Sequence, residues 1–410
     1  MSASTTLPAP ASSPGSGKKT SQGGSIAAYL RNNLREYVMM AVLVALLLGF
    51  QVGTNGLMLL PNNVVSLIQQ NAYVFVLTIG MVMIIVAGHI DLSVGSVVAF
   101  IGGICALMIM EWGIAWPLAV VLSVILGGVV GAWQGFWVAY VGIPAFIVTL
   151  GGMLLFRGLA IYYVGTTVGG LPSDFNALAN GALPNSLGFI GNLDVVTVAI
   201  GAVAALGLAF SQIRTRRELV RNDLRTEPFA AFIGKIVVSV VAVGYVTWLL
   251  ANSASGMPIV LIIVAFLVLL YSFIMNNTIF GRHIYAMGGN LPAAMLSGVK
   301  TKRVNFLLFV NMGLLAGVAA VITTARAGSA VAAAGQNYEL DAIAAAFIGG
   351  TAVSGGVGKV TGAIIGALVM GVLNMGLSIM NVVPEWQMVW KGLVLIAAVA
   401  FDILNKRRGK

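Results

Sequence analysis

Five ionisable residues fall inside or beside long apolar runs: Asp91, Arg157, Glu339, Asp341 and Lys391. A proton relay through a membrane needs a series of acidic and basic groups along the spans. These five make no such series, because all but Arg157 sit near the ends of their runs. The two histidines, His89 and His283, are far apart and suit neither a metal site nor a catalytic triad. Cys105, the single cysteine, excludes an internal disulfide and a Cys-based cluster. Gly358 and Lys359 look at first like a phosphate-binding loop, but that pattern needs Gly at Val353 and Ser or Thr at Val360. The chain therefore encodes no nucleotide site, and a membrane-embedded enzyme lacks its catalytic set.

A more definite pattern is a short capped helix. Residues 277–303, NTIFGRHIYAMGGNLPAAMLSGVKTKR, form the longest polar interruption of the C-terminal half. Gly288 and Gly289 permit a sharp turn, and the side-chain oxygen of Asn290 can accept an orphan backbone N–H as an N-cap. Pro292 suits the first turn, and Gly298 falls where a left-handed C-terminal cap belongs. Leu291, Ala294, Met295 and Gly298 then share one face at i, i+3, i+4 spacing. That small apolar face can receive another protein; the alternative is a capped connector without a partner.

The elements around this helix are hydrophobic. Of 410 residues, 59% are apolar and 8% charged, where a soluble domain carries about 25% charged residues. The chain is an integral membrane protein. Its apolar runs are ~20 residues long and do not alternate, which argues for helices over a barrel. Its 51 glycines suit helices that pack closely in lipid.

Residues 1–30 read as a Ser-, Pro- and Gly-rich tail, 31–405 as one transmembrane domain and 406–410 as a basic tail. The fold class is an all-α polytopic membrane bundle of about 10–12 transmembrane helices, some broken or re-entrant. Runs near 37–60, 68–88, 92–110, 115–140, 144–164, 192–212, 229–251, 257–275, 304–325, 340–357, 361–381 and 386–404 are the crossings, 340–357 being interrupted by glycines. The net charge of +10 is concentrated in the N-terminal tail, at 214–225, at 282–303 and in the C-terminal tail. Its placement sets topology and does not indicate nucleic acid, putting both termini and these loops in the cytoplasm. Glu111, Asp174, Glu339 and Glu385 outnumber Arg326 on the opposite loops, giving an acidic rim that is either solvated or a docking face.

Two interruptions carry polar residues into the bundle. In 87–96, AGHIDLSVGS, Gly88, His89, Asp91, Ser93 and Gly95 abut apolar runs. A carboxylate in hydrocarbon costs about 2.5–3.5 kcal/mol on insertion scales, so Asp91 must be paired, capping or wet. Ser93 or Asp91 capping the helix that begins near Leu92 is the simplest role, and substrate contact the alternative. In 347–359, FIGGTAVSGGVGK, the residues Gly349, Gly350, Ser354, Gly355 and Gly356 suit a broken helix or re-entrant turn. Gly88, Leu92, Ser93 and Gly95 match Gly349, Val353, Ser354 and Gly356 at one spacing, a hint of duplication.

AGHIDLSVGS, IPAFIVTLGGMLLFRGLA (143–160), GRHIYAMGGNLPAAMLSGVKTKRV (281–304) and YELDAIAAAFIGGTAVSGGVGKVTGAIIGA (338–367) together resemble the permeases of bacterial ABC monosaccharide importers, in the ribose/xylose/galactose branch. The resemblance runs from about residue 30 to 405. The additional spans around 213–228 look like the xylose-type and multiple-monosaccharide permeases, and the opening segment and His89 lean toward the latter. The resemblance implies a permease homodimer, a separate ABC ATPase that holds ATP and Mg, an extracytoplasmic sugar-binding protein, and a cytoplasmic (inner) membrane location. It implies that this chain is no enzyme, holds no cofactor or metal, and passes a monosaccharide such as xylose. Residues 281–298 would be the coupling helix, carried here by Gly281, Arg282, Gly288, Gly289, Asn290, Ala293, Ser297 and Gly298. The family often has other residues at Leu291, Pro292 and Met295, so details of the docking surface depart from its pattern. Replacing Gly289 with a bulky residue is expected to uncouple hydrolysis from transport.

Selectivity in such a system can reside in the binding protein, which fits the sparse polar content of the spans. Asn71, Thr78, Gln134, Thr149 and Asn374 are the candidate lining of the path, with helix packing or capping the alternative for each. A self-contained secondary sugar carrier driven by H⁺ or Na⁺ is the rival function.

Overall fold

A computed structural model describes residues 34–408 except 225, with side chains described from 38 to 400. The tail expected at 1–30 lies outside the described residues. Helix follows helix through the rest. α1 (Leu34–Gly53) leads to α2 (Pro61–Gln70) and α3 (Ala72–Val86), which bend by 45° where Asn71 separates them. α4 (Val94–Met110), α5 (Trp116–Phe136) and α6 (Ala145–Val164) follow, with a π-turn at Trp137–Val141 closing α5. β1 (Thr167–Gly169), α7 (Ser173–Asn180), and the hairpin β2 (Phe189–Ile190) and β3 (Leu193–Asp194) lead to α8 (Val195–Arg221) and α9 (Phe229–Ala251). Then come α10 (Ile259–Asn277), α11 (Ile279–Gly289), α12 (Leu291–Leu296), α13 (Thr301–Ala327), β4 (Ser329–Val331), α14 (Tyr338–Ile348), α15 (Val360–Ile379) and α16 (Pro384–Arg408). β4 pairs antiparallel with β1. α16 continues past the boundary expected at 405.

Among the described residues, 7 helices are long and apolar enough to cross a membrane, and the bent pair α2–α3 makes an eighth. This is a polytopic helical membrane bundle. The crossing expected at 340–357 takes another form. α14 rises only about 16 Å at 1.5 Å per residue, half of a ~30 Å hydrocarbon layer. It is completed by the non-helical residues 332–337, which Arg157 on α6 holds inside the bundle through Nη1 bonds to the carbonyls of Ala332 (2.9 Å) and Ala334 (2.6 Å). A guanidinium fixed this way satisfies irregular backbone that lipid would leave unpaired.

The core forms around α3, where Val74, Val76, Leu77, Ile79, Met81, Val82 and Met83 are wholly enclosed. A close helix crossing joins α5 to α13. A Cβ on Gly127 would lie 2.2 Å from the Gly313 carbonyl oxygen, and one on Gly131 2.2 Å from that of Phe309. Small residues at i and i+4 let these backbones touch, which stands in for the hydrophobic drive that lipid does not supply. α8 and α9 pack chiefly on each other and leave most of their apolar surface bare, as lipid-facing helices do.

The basic end of the bundle, holding α11, α12 and the α8–α9 connection, carries Arg214, Arg217, Arg221, Arg282, Lys300, Lys302 and Arg303. The opposite, far end holds α7 and the two strand pairs.

Candidate functional site

The capped helix forms as its sequence dictates. Asn290 is the N-cap of α12, its Oδ1 accepting from the N–H of Ala293 at 3.0 Å, with Pro292 in the first turn. At the other end Gly298 takes a left-handed φ of +83°. The Val299 N–H then reaches the Ala294 carbonyl at 3.1 Å and the Gly298 N–H that of Met295 at 3.0 Å, the paired bonds of a Schellman cap. Ser297 Oγ donates to the carbonyl of Ala293 at 2.9 Å. The exposed face differs from the one expected. Ala294 is buried against the protein, and the outward residues are Leu291, Met295 and Leu296, the last 90% exposed. In a helix this short, which stripe turns outward is set by how α11 seats, and i, i+3, i+4 spacing alone does not contain that.

α11 is capped by Thr278, whose Oγ1 accepts from the Gly281 N–H at 3.2 Å. A Cβ on Gly281 would meet the Met275 carbonyl oxygen at 2.3 Å, so only glycine lets α11 fold back onto the end of α10. Arg282 points outward, exposed. Tyr285 donates its hydroxyl to the Gly358 carbonyl at 2.6 Å, and burial pushes its phenol pKa up, so it stays protonated as a donor.

Both membrane breaks end on this helix. Gly88, with φ +87°, turns the chain out of α3, and the residues 347–359 turn it out of α14 through Gly350, Gly355 and Gly356 at left-handed φ. The Gly356 N–H donates to the Val86 carbonyl at 2.8 Å. A Cβ on Gly288 would lie 1.7 Å from that same oxygen and 2.6 Å from the Gly356 nitrogen. Gly289, in contrast, is exposed with open space where its Cβ would stand. The steric demand at the junction belongs to Gly288 and not to Gly289. Gly349 is buried against α15, where a Cβ would meet the Ala363 α-carbon at 2.5 Å, and Ser354 is exposed on the loop.

The four positions matched between the breaks do not share conformation, since Gly88 has φ +87° where Gly349 has φ −69°, and Gly95 is helical where Gly356 is left-handed. α3 and α14 run side by side in the same direction, Tyr73 stacking on Tyr338 with ring centroids 3.6 Å apart at their starts and the Val86–Gly356 bond beyond their ends. α4 resumes at Val94 soon after Gly88, whereas α15 waits until Val360, so the second break is the longer.

The polar residues of the first break are internally satisfied. Asp91 Oδ1 accepts from the Ser93 N–H (2.8 Å) and hydroxyl (2.6 Å), and Ser93 Oγ accepts from Gln134 Nε2 (2.7 Å). Neither Asp91 nor Ser93 reaches the free N–H groups of α4, so Asp91 holds the turn ahead of that helix and does not cap it. His89 Nε2 lies 3.0 Å from Asn305 Oδ1 on α13. Gly95 faces Glu339: a Cβ there would stand 2.4 Å from that carboxylate. Glu339 thus turns into the bundle and leaves the acidic rim expected on the loops.

The candidate path residues are dispersed. Asn374 Nδ2 donates to Asn71 Oδ1 at 2.9 Å, tying α15 to the α2–α3 bend. Gln134 belongs to the Asp91 cluster, Thr149 approaches the carbonyls of Ile90 and Phe146 at 3.4 and 3.3 Å, and Thr78 is fully buried with no partner for its hydroxyl. Sequence reasoning did not find the pairing of Asp341, which is bound by Tyr73 (2.8 Å) and Lys391 (3.1 Å) and so joins α14 to α3 and α16. The ions were visible in the sequence, but partners this remote in the chain leave no local pattern. Among the described residues no three His, Cys, Asp or Glu side chains converge as metal ligands would.

Residues 63–399 match the family model described as branched-chain amino acid transport system / permease component. The xylose transport system permease protein XylH of Escherichia coli (strain K12) is 40% identical over 377 residues, covering 92% of this chain and 93% of that protein. Its counterpart in Haemophilus influenzae (strain ATCC 51907 / DSM 11121 / KW20 / Rd) is 37% identical, over 92% of this chain and 98% of that protein. The ribose import permease protein RbsC of Bacillus subtilis (strain 168) is 33% identical, over 83% of this chain and 85% of that protein. No solved structure matches the chain.

Proposed function

Because the chain belongs to the branched-chain amino acid transport system / permease component family, we propose that it is the membrane permease of an ATP-driven importer whose cargo is a monosaccharide, xylose or a related pentose or hexose. The relatives named for xylose and ribose transport support the sugar. One observation carries the mechanism: Gly288 of α11 abuts the backbone junction where both membrane breaks meet. α11 and α12 are then a coupling helix for a separate ATPase, which holds ATP and Mg, and Leu291, Met295 and Leu296 are its knob. The basic end is cytoplasmic by the positive-inside rule, as are both termini, in the inner membrane. A sugar-loaded binding protein docks at the far end of a permease homodimer. Closure of the ATPase drives α11 against the junction, and α3 and α14 carry the motion into the bundle as packed rods.

A self-contained carrier driven by H⁺ or Na⁺ is disfavoured by membership of a permease-component family. The test is D-xylose uptake in proteoliposomes containing this chain, its ATPase and its binding protein. Uptake should need ATP and the ATPase and be indifferent to a protonophore or Na⁺ ionophore. Accumulation against a gradient by this chain alone, without nucleotide, overturns the proposal.

A further inference from the structure

We propose that a cavity at the far end of the bundle, about 330 Å³ in volume and lined by Gln69, Gln70, Tyr73, Thr323, Arg326 and Tyr338 among others, is a subsite for a neutral polyhydroxy ligand, a five- or six-carbon sugar. This deepens the importer reading above and rests on it for the cargo class. The size lies at the lower end of small-molecule pockets, about 300–1,000 Å³. The lining combines what a sugar requires. The Tyr73–Tyr338 stack supplies aromatic surface for the C–H face of a ring. Gln70 is exposed at the rim and offers a neutral amide. Arg326 adds a charged group to the wall, its guanidinium fixed by an Nη1 bond to Asn180 Oδ1 at 2.8 Å.

The same lining argues against an amino acid. A zwitterion needs a carboxylate for its ammonium group, and the lining contains none. Asp341, bound to the Tyr73 hydroxyl, is also paired with Lys391. The position also has a consequence. Tyr73 and Tyr338 begin the two helices that end on the Gly288 junction, so an occupied cavity touches the far ends of the rods that the coupling helix moves.

The test uses the full chain in nanodiscs and saturation-transfer NMR with D-xylose and L-leucine as probes. D-Xylose should receive magnetisation from the wild type and L-leucine should not. Gln70→Trp places an indole at the exposed rim, outside the core, and should abolish that transfer while leaving the thermal unfolding midpoint unchanged. Gln70→Ala removes one neutral hydrogen-bonding group and should weaken the apparent affinity about threefold to tenfold. In the assembled importer, Gln70→Trp should lower D-xylose uptake at least about tenfold, with ATP hydrolysis retained. The subsite is overturned if Gln70→Trp binds and transports D-xylose as the wild type does, or if L-leucine is the probe that binds. An assembled wild-type importer that takes up no monosaccharide overturns the importer reading, and the nanodisc measurement then still decides the subsite.

Discussion

The Gly356 N–H donates to the Val86 carbonyl oxygen at 2.8 Å, joining the loop after α14 to the last residue of α3. These two residues are remote in the chain, and Gly288 of α11 closes over their bond so tightly that a Cβ there would overlap both. Backbone against backbone leaves no side-chain rotamer to yield, so a displacement of α11 passes directly to the two buried helices. The Tyr285–Gly358 hydrogen bond of 2.6 Å ties the same helix to the same loop a second time.

Gly288→Ala should therefore separate the two activities of the assembled importer. Its methyl group has only backbone atoms to displace, 1.7 Å and 2.6 Å away, and such overpacking costs about 1–3 kcal/mol. Sugar uptake should fall while ATP hydrolysis persists. Gly289→Ala, whose Cβ enters open space, should transport as the wild type does. Hydrolysis and uptake measured on the same proteoliposomes check both, and equal coupling in the two variants would remove the junction from the mechanism.

Much of this was legible in the sequence because it is local. Asn290, Pro292 and Gly298 specify a start, a first turn and a stop within one short segment, and those caps form. The apolar runs likewise place nearly every helix. What the sequence hides is which distant partner each polar residue meets. Asp341 and Lys391 read as isolated ions near run ends, yet they face one another at 3.1 Å. Glu339 read as a loop residue, yet its carboxylate faces Gly95. Ala294 read as part of the offered face and turns inward, because the packing of α11 decides the rotation of α12.

The apolar knob of α12 gives a second prediction. Leu296 is 90% exposed and supports nothing within this chain, so Leu296→Asp should leave folding within about 0.5 kcal/mol of wild type. If α12 seats in an ATPase groove, a carboxylate at that contact is desolvated without a partner and should weaken assembly about tenfold or more. Co-purification of the ATPase with the variant in detergent checks this, and undiminished recovery would move the docking surface elsewhere.

The α5–α13 crossing predicts a contrast between two glycines. Gly131→Ala drives a methyl group to 2.2 Å from the Phe309 carbonyl oxygen. The separation of the helices should cost about 1–3 kcal/mol, more than the ~1 kcal/mol that alanine gains over glycine in a helix. Gly151→Ala on α6 meets nothing within 4 Å and should be neutral or stabilising. Thermal unfolding of the two variants in the same detergent should therefore shift in different directions or by clearly different amounts.

The buried ion pair yields an asymmetric prediction. Lys391 keeps 23% of its side chain exposed whereas Asp341 keeps 3%, so the two partners do not tolerate loss of the other equally. Lys391→Met leaves the Asp341 carboxylate enclosed with only the Tyr73 hydroxyl, and breaking a buried pair this way costs about 3–5 kcal/mol. Asp341→Asn leaves a lysine that can still reach water, while Tyr73 keeps an acceptor in the amide oxygen, so its cost should be smaller. The double variant should be less destabilised than the two losses summed, with a coupling of about 0.5–3 kcal/mol. A double-mutant cycle on unfolding midpoints measures this directly. A coupling near zero would mean that α14 is held by packing against α3 and α15, and that the Lys391 ammonium does not anchor α16 to it.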